Sequence, residues 1–277
     1  MIKNNKASTM YLLIVFILLY APIAYLIYYS FNAGGTMNQF TGFTWEHYQS
    51  LASDTRLITI ALDTLRVALL SALAATIIGT LGAIGIYYAK LRRTQTILLS
   101  LNNILLASPD VIIGASFLLL FTLVGFRLGF YSVLLSHIAF SIPIVVLMVL
   151  PRLEEMNTNM LTAARDLGAS QLQVLKEIIL PSITPGILAG FFMAFTYSID
   201  DFAVTFFVTG NGFATLSVEI YSRARQGVSL EINALSTLLF LVAMGIVVGY
   251  YFIQKQQRQR KKTAQIDPTN HEKAVTP

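Results

Sequence analysis

Apolar residues gather in six runs along the chain, and polar residues fill the intervals between them. The runs are Met10–Phe31, Val67–Ala89, Ile97–Val124, Phe130–Leu150, Ile183–Val208 and Asn233–Ile253. A helix needs about 20 residues to cross the hydrocarbon core of a bilayer, so the pattern predicts an all-α, polytopic membrane protein with six transmembrane helices. One polar interval keeps helical order of its own. In Leu161–Pro181, the residues Leu161, Ala164, Gly168, Leu172, Leu175 and Ile179 recur at steps of three and four, which places them on one face if the segment is helical.

Local signals divide that interval. Gly168 reads as the residue just past a helix end. Ser170 reads as an N-cap, with Gln173 three residues on completing a capping box, and Pro181 is expected to stop the second helix. The prediction is two short amphipathic helices joined by a bend between two spans, a device suited to a groove on a partner protein.

Charge sets the expected orientation. Only 12% of the 277 residues are charged, against about 25% in a soluble domain. With the N-terminus inside, 14 of the 19 Lys and Arg fall on the inner side and 5 on the outer. This distribution predicts cytoplasmic termini and a cytoplasmic 161–181 loop. Topology and anionic lipid thus account for the net charge of +5, and no nucleic-acid module is needed. The chain has no Cys, which excludes disulfides and Cys-based metal sites. It has no GxxxxGK[ST], HExxH or GxSxG motif, so it cannot by itself cradle nucleotide phosphates.

Polar residues inside or beside the runs are the candidates for function. Met10–Phe31 is longer than a signal-peptide core and lacks a small-residue cleavage site, so it is expected to stay as a helix. Asn32–Arg66 reads as an external segment holding the single Trp, Trp45, which either anchors at the headgroups or lines the outer mouth. Glycines in the spans (Gly79, Gly82 and Gly85, the pair Gly186 and Gly190, the pair Gly245 and Gly249) predict close helix packing. Ser108, Pro109 and Asp110 interrupt the third run and predict a broken helix. Asp110 then faces a cavity or caps the helix after the break, because an unpaired acid at membrane depth is costly. His137 reads as an interhelical hydrogen bond. Ser198, Asp200 and Asp201 lie late in the fifth run. Neighbouring helical residues point about 100° apart, so one of the two acids can face a pathway while the other bonds within the bundle; the alternative is that both reach a polar interface. Gly210–Gly212 predicts a turn, Phe213–Ile232 an amphipathic external helix, and Gln254–Pro277 a disordered basic tail.

The 161–181 stretch resembles the cytoplasmic EAA loop of ABC importer permeases, whose pattern is E-A-A-x3-G-x9-I-x-L-P. Ala163, Ala164, Gly168, Ile178, Leu180 and Pro181 stand at those spacings, while Thr162 replaces the Glu and Asp166 lies within the motif. Further stretches, Ser108–Gly114, Tyr197–Gly210 and Ile220–Leu235, are similar to the spermidine/putrescine permeases of that family. The resemblance implies a MetI-like ABC importer permease fold. It implies one permease domain over 1–277, with a core at about 61–253, a coupling loop at 151–182 and the tail at 254–277. It also implies a second permease subunit, an ABC ATPase dimer that binds the ATP, and an extracytoplasmic polyamine-binding protein. On this basis Asp110, Ser198, Asp200 and Asp201, with Trp45, are expected along a cation pathway. No resident cofactor, metal or catalytic residue is expected. Another small cargo, such as thiamine or ferric iron, stays open. So does a different class, a passive channel or secondary transporter, although an ATPase-docking loop has no use in either.

Overall fold

The computed structural model describes residues 6–226, 230–242 and 244–245. Among them the regular structure is helical, apart from one antiparallel bridge between Asn32 and Phe43. Among the described residues, four helices are long and apolar enough to cross a membrane: Ser8–Tyr29, Thr55–Tyr87, Phe130–Glu154 and Gln171–Asp200. The third apolar run is not one helix. It divides into α4 (Arg92–Ala107) and α5 (Asp110–Leu123), bent by 104°. The cause is Pro109, which holds Ser108 extended at ψ 138° and ends α4 there. Of the sixth run only Leu230–Val242 is seen as an apolar helix. The rest of it is almost wholly outside the described residues, and the tail at 254–277 entirely so.

Residues 55–222 form one compact unit. Its frame is α3 (Thr55–Tyr87), α6 (Phe130–Glu154) and α9 (Leu180–Asp200). Small residues let these helices approach. Ala68, Ala72, Ala75, Gly79 and Ala83 are buried along α3. A Cβ on Gly79 would lie 2.7 Å from Val145 Cβ, and one on Gly190 would lie 3.2 Å from Val145 Cα. Val145 of α6 therefore sits between glycines of α3 and α9. Gly186 is as tightly placed against Met148 O at 2.8 Å, whereas Gly85 meets nothing within 4 Å. Val145, Val149, Leu153 and Ile183 are fully buried in the resulting core.

Two boundaries differ from the sequence reading. The segment expected outside the second span is helical from Thr55, so α3 runs to 33 residues, or about 50 Å at 1.5 Å per residue. The fifth run does not begin at Ile183 or end at Val208. A helical path starts with the turn α8 (Gln171–Gln173), passes through a π segment at Val174–Ile179 and continues as α9. It stops at Asp200, and a separate helix, α10 (Ala203–Val208), follows the break. Pro181 therefore does not stop the second loop helix. It occupies the first turn of α9, where the helix passes from the π segment to α geometry.

The described residues of 1–54 and 223–277 form the other unit. It holds α1 (Lys6–Tyr29) and α2 (Glu46–Ser53). The buried Asn32 organises the loop between them. Its amide donates to Thr36 O and Gln39 O, both at 2.9 Å, and its side-chain oxygen accepts from Thr41 N at 2.8 Å. α11 (Leu216–Gln226) lies within the expected amphipathic segment. Its Glu219 pairs with Arg56 at 3.1 Å, and its Arg223 pairs with Asp54 at 3.0 Å and Glu231 at 3.7 Å. Arg225 is exposed. The expected turn after α10 has Gly210 at φ +64° and Gly212 at φ +92°, backbone that suits Gly.

Candidate functional site

Two helix breaks create the polar geometry of the larger unit. At the first, Asp110 opens α5, where the positive end of the helix dipole favours an anion. At the second, α9 ends on Asp200. The two meet through Tyr197, whose phenol donates to Asp110 Oδ1 at 2.7 Å, 87 residues away in the chain. Tyr197 and Asp200 are three residues apart in α9, so they share a face. Tyr197 is 37% exposed, Asp200 is exposed and Asp110 half-buried. The edge of one ring meets the face of the other between Tyr197 and Phe140, with centroids 5.1 Å apart. Two reachable carboxylates and a phenol are a set of acceptors for an ammonium group.

Ser198 and Asp201 sit on the opposite side of the same turn, at 2% and 8% exposure. His137 of α6, fully buried, bridges them. Its Nδ1 lies 2.6 Å from Ser198 Oγ and its Nε2 lies 2.8 Å from Thr205 Oγ1 of α10. The Nε2 is also 3.5 Å from Asp201 Oδ2. Ser71 of α3 joins through Ser198 at 3.0 Å. The Asp201 carboxylate accepts from Thr205 N at 2.8 Å, Thr205 Oγ1 at 2.7 Å and, more weakly, Val204 N at 3.3 Å, so it serves the buried N–H groups at the start of α10 that have no partner within the helix. Ser, His and Asp are the residue types of a hydrolytic triad, but here they are enclosed by helices and offer no open position for a reacting group. The set satisfies the backbone at the break.

The two adjacent acids thus part company, Asp200 outward and Asp201 inward. Trp45 belongs to the other unit, where it stands 55% exposed in a ring cluster with Phe31, Phe43 and Tyr48 at 5.0–5.5 Å. Sequence reasoning passed over Tyr197 and Thr205. The signal for Tyr197 was present, a phenol one helical turn before Asp200.

The loop after α6 forms an elbow. α7 (Thr158–Asp166) ends with Gly168 at φ +83°. Gly168 N donates to Arg165 O at 2.9 Å and Ala169 N to Ala164 O at 3.0 Å, the paired bonds of a Schellman ending. Ser170 and Gln173 then cap α8 reciprocally. The predicted single apolar face does not run through the bend. Leu161, Val174 and Ile179 are buried and Ala164, Leu175, Ile178 and Leu180 pack against them, while Leu167 and Leu172 are left 88% and 59% exposed. Gly168 resets the helical phase, so spacing counted across it loses its meaning. Thr162, Ala163, Asp166 and Pro181 are exposed. Between the elbow and the end of α3 lies a cavity of about 540 Å³ bordered by Ile84, Tyr88, Arg165 and Leu175.

Long apolar helices packed through glycines, with polar groups paired inside, define a multi-pass membrane protein. The chain belongs to the family described as binding-protein-dependent transport system inner membrane component, whose profile matches residues 75–263. It is 39% identical to the spermidine/putrescine transport system permease protein PotC of Escherichia coli (strain K12), over 88% of this chain and 92% of that one. It is 35% identical to the putrescine transport system permease protein PotI of the same strain, over 92% and 93% of the two chains. Among solved structures it resembles a bacterial ABC transporter involved in the import of alginate. The TM-score is 0.70 at 17% identity, over 90% of this chain and 94% of that one. It also resembles the inward-facing MetNI methionine ABC transporter, with a TM-score of 0.57 at 20% identity, over 73% and 95%. These two likenesses show a shared ABC-permease fold. The chain is a transport subunit.

Proposed function

We propose that this chain is the membrane-spanning permease subunit of an ATP-driven ABC importer that carries polyamines, spermidine and putrescine, into the cell. The observation that carries the reading is the likeness to PotC and PotI over nearly the whole chain. The half-buried Asp110 and the exposed Tyr197 and Asp200 agree with it, because polyamines are flexible chains bearing two or more ammonium groups and separated acids along a path suit them. Asp110 and Asp200 meet the cargo, Ser198 and Asp201 stand behind them, and Trp45 lies at the outer mouth.

Residues 1–277 act as one permease domain of six spans, with the core at about 61–253, the basic tail at 254–277 and both termini cytoplasmic. The elbow at 151–182 faces the cytoplasm, where Leu167 and Leu172 enter a groove on an ATPase subunit and Thr162, Ala163 and Asp166 line the contact. A second permease subunit completes the pathway, an ATPase dimer binds the ATP, and a polyamine-binding protein delivers cargo outside. The chain needs no cofactor of its own and no nucleic acid; lipid surrounds it. ATP binding closes the ATPase dimer and moves the elbow. The motion passes along the helical path from Gln171 to Asp200, about 45 Å at 1.5 Å per residue, and the pathway opens outward. Hydrolysis resets it.

Uptake of labelled putrescine and spermidine tests the reading. Cells carrying Asp110→Asn or Asp200→Asn should show a KM raised about tenfold or more, with the complex still assembled. Normal uptake in both variants removes the cation pathway, and uptake unchanged by deletion of the gene removes the cargo.

A further inference from the structure

His137 is hydrogen-bonded on both sides of the break between α9 and α10. On one side it holds Ser198, at 2.6 Å. Ser198 lies between Tyr197 and Asp200, so turning it inward keeps those two outward. On the other side it holds Thr205, at 2.8 Å, and Thr205 fixes α10. α10 in turn carries α5. A Cβ on Gly114 of α5 would lie 2.8 Å from Phe207 Cδ2, 3.0 Å from Val204 Cα and 3.1 Å from Ala203 O, so the two helices meet backbone to backbone. The position of Asp110 at the head of α5 is therefore referred to His137 through α10, and the position of Asp200 through α9.

These side chains form one continuous hydrogen-bonded chain. Thr205 spends its one hydroxyl proton on Asp201 Oδ2, at 2.7 Å. Its lone pair is then left for an N–H, which His137 supplies from Nε2. His137 Nδ1 is hydrogen-bonded to Ser198 Oγ, which shares a further hydrogen bond with Ser71 of α3, 3.0 Å away. The bonded chain joins Ser71, Ser198, His137 and Thr205 and ends on the Asp201 carboxylate. A chain satisfied at every member rigidifies the helices that it joins. A residue that served packing alone would need none of these bonds, and Phe140 beside it, centroids 4.9 Å apart, already fills that role.

We propose that His137 is the positioning residue of the acidic site: by bridging Ser198 and Thr205 it sets the spacing between Asp110 and the pair Tyr197 and Asp200, and so the grip on the cargo's ammonium groups. The proposal rests on the cation-pathway reading above. Its test uses the complete importer in cells, with uptake of putrescine and spermidine measured across concentration and the assembled complex quantified in the membrane.

His137→Leu is expected to raise KM about tenfold or more, because small misplacements of binding groups carry large penalties, while Vmax per complex falls less. His137→Gln, which keeps a donor and an acceptor, should recover most of the loss. In the background of Asp110→Asn, the leucine variant should add little, since the spacing it disturbs no longer matters. If His137→Leu fails to assemble, Ser198→Ala and Thr205→Val each cut one link and should raise KM in its place. A lowered amount of complex with normal KM in all variants that assemble overturns the proposal, and so does a KM change in His137→Leu that adds fully to that of Asp110→Asn. If Asp110→Asn and Asp200→Asn transport normally, the pathway reading itself fails; if they are impaired while His137→Leu, Ser198→Ala and Thr205→Val keep their KM, the positioning role alone fails.

Discussion

Gly168 shows how one backbone angle can carry a function. At φ +83°, with nothing within 4 Å of where a Cβ would stand, its substitution meets no clash, and the penalty is conformational. Gly168→Val should cost about 1–2 kcal/mol in the left-handed region and open the elbow. Uptake and cargo-stimulated ATP hydrolysis should fall together while the spans stay assembled; unchanged coupling would remove the elbow from the mechanism. Tyr197 is a second single-residue case. Its phenol donates to Asp110 at 2.7 Å, the same carboxylate that an ammonium group would use. Tyr197→Phe removes one acceptor of the set and unties Asp110 from α9, and KM for putrescine should rise severalfold, given that hydrogen bonds to charged groups are worth about 1.5–3 kcal/mol before water competes. An unchanged KM would mean that the phenol takes no part in holding the cargo.

Among the elements, the helical path from α8 to α9 joins the elbow to the acids without a break. The π segment at Val174–Ile179 amounts to an added residue, and each residue turns a helix by about 100°. Pro181→Ala restores an N–H and lets the segment relax toward α geometry. The elbow should then rotate relative to α9, lowering uptake at constant complex abundance, as quantitative blotting beside transport would detect. The packing of α3 on α6 gives a matched pair. Gly79→Val drives a side chain into Val145, where a Cβ would already stand at 2.7 Å, and overpacking of this kind costs about 1–3 kcal/mol. Gly85→Ala meets nothing within 4 Å. The first should lower the amount of protein in the membrane and the second should not; equal amounts would show that α3 and α6 are not held at this distance.

On the scale of the molecule, its apolar length, its basic residues and its exposed elbow describe one part of a machine. A protease site placed after Leu167 should be cut from the cytoplasmic side alone, and purified complex should keep an ATPase subunit that is lost when Leu167 and Leu172 are both changed to Asp. Cleavage from the outside would reverse the orientation, and retention of the ATPase would move the docking surface elsewhere.

The long helices, the break at Pro109 and the elbow with its Gly168 ending and Ser170 cap were legible in the chain, because each depends on periodicity or on a few neighbouring residues. The π segment was not, since Pro181 read alone is a stop and only the turns before it show how the helix passes through. The phase shift at Gly168 was hidden for a similar reason: spacing assumes an unbroken helix. The division between Asp200 and Asp201 lay further out of reach. Sequence determined that two consecutive acids cannot face one way, about 100° apart as they are. Which one turns inward follows from where α9 ends, because Asp201 is the residue left to cap α10 through Val204 N, Thr205 N and Thr205 Oγ1, with His137 of α6 beside it at 3.5 Å. Helix and cap are written in local backbone chemistry, while the break that frees Asp201 for α10 is packed against His137, a neighbour only once the bundle has formed.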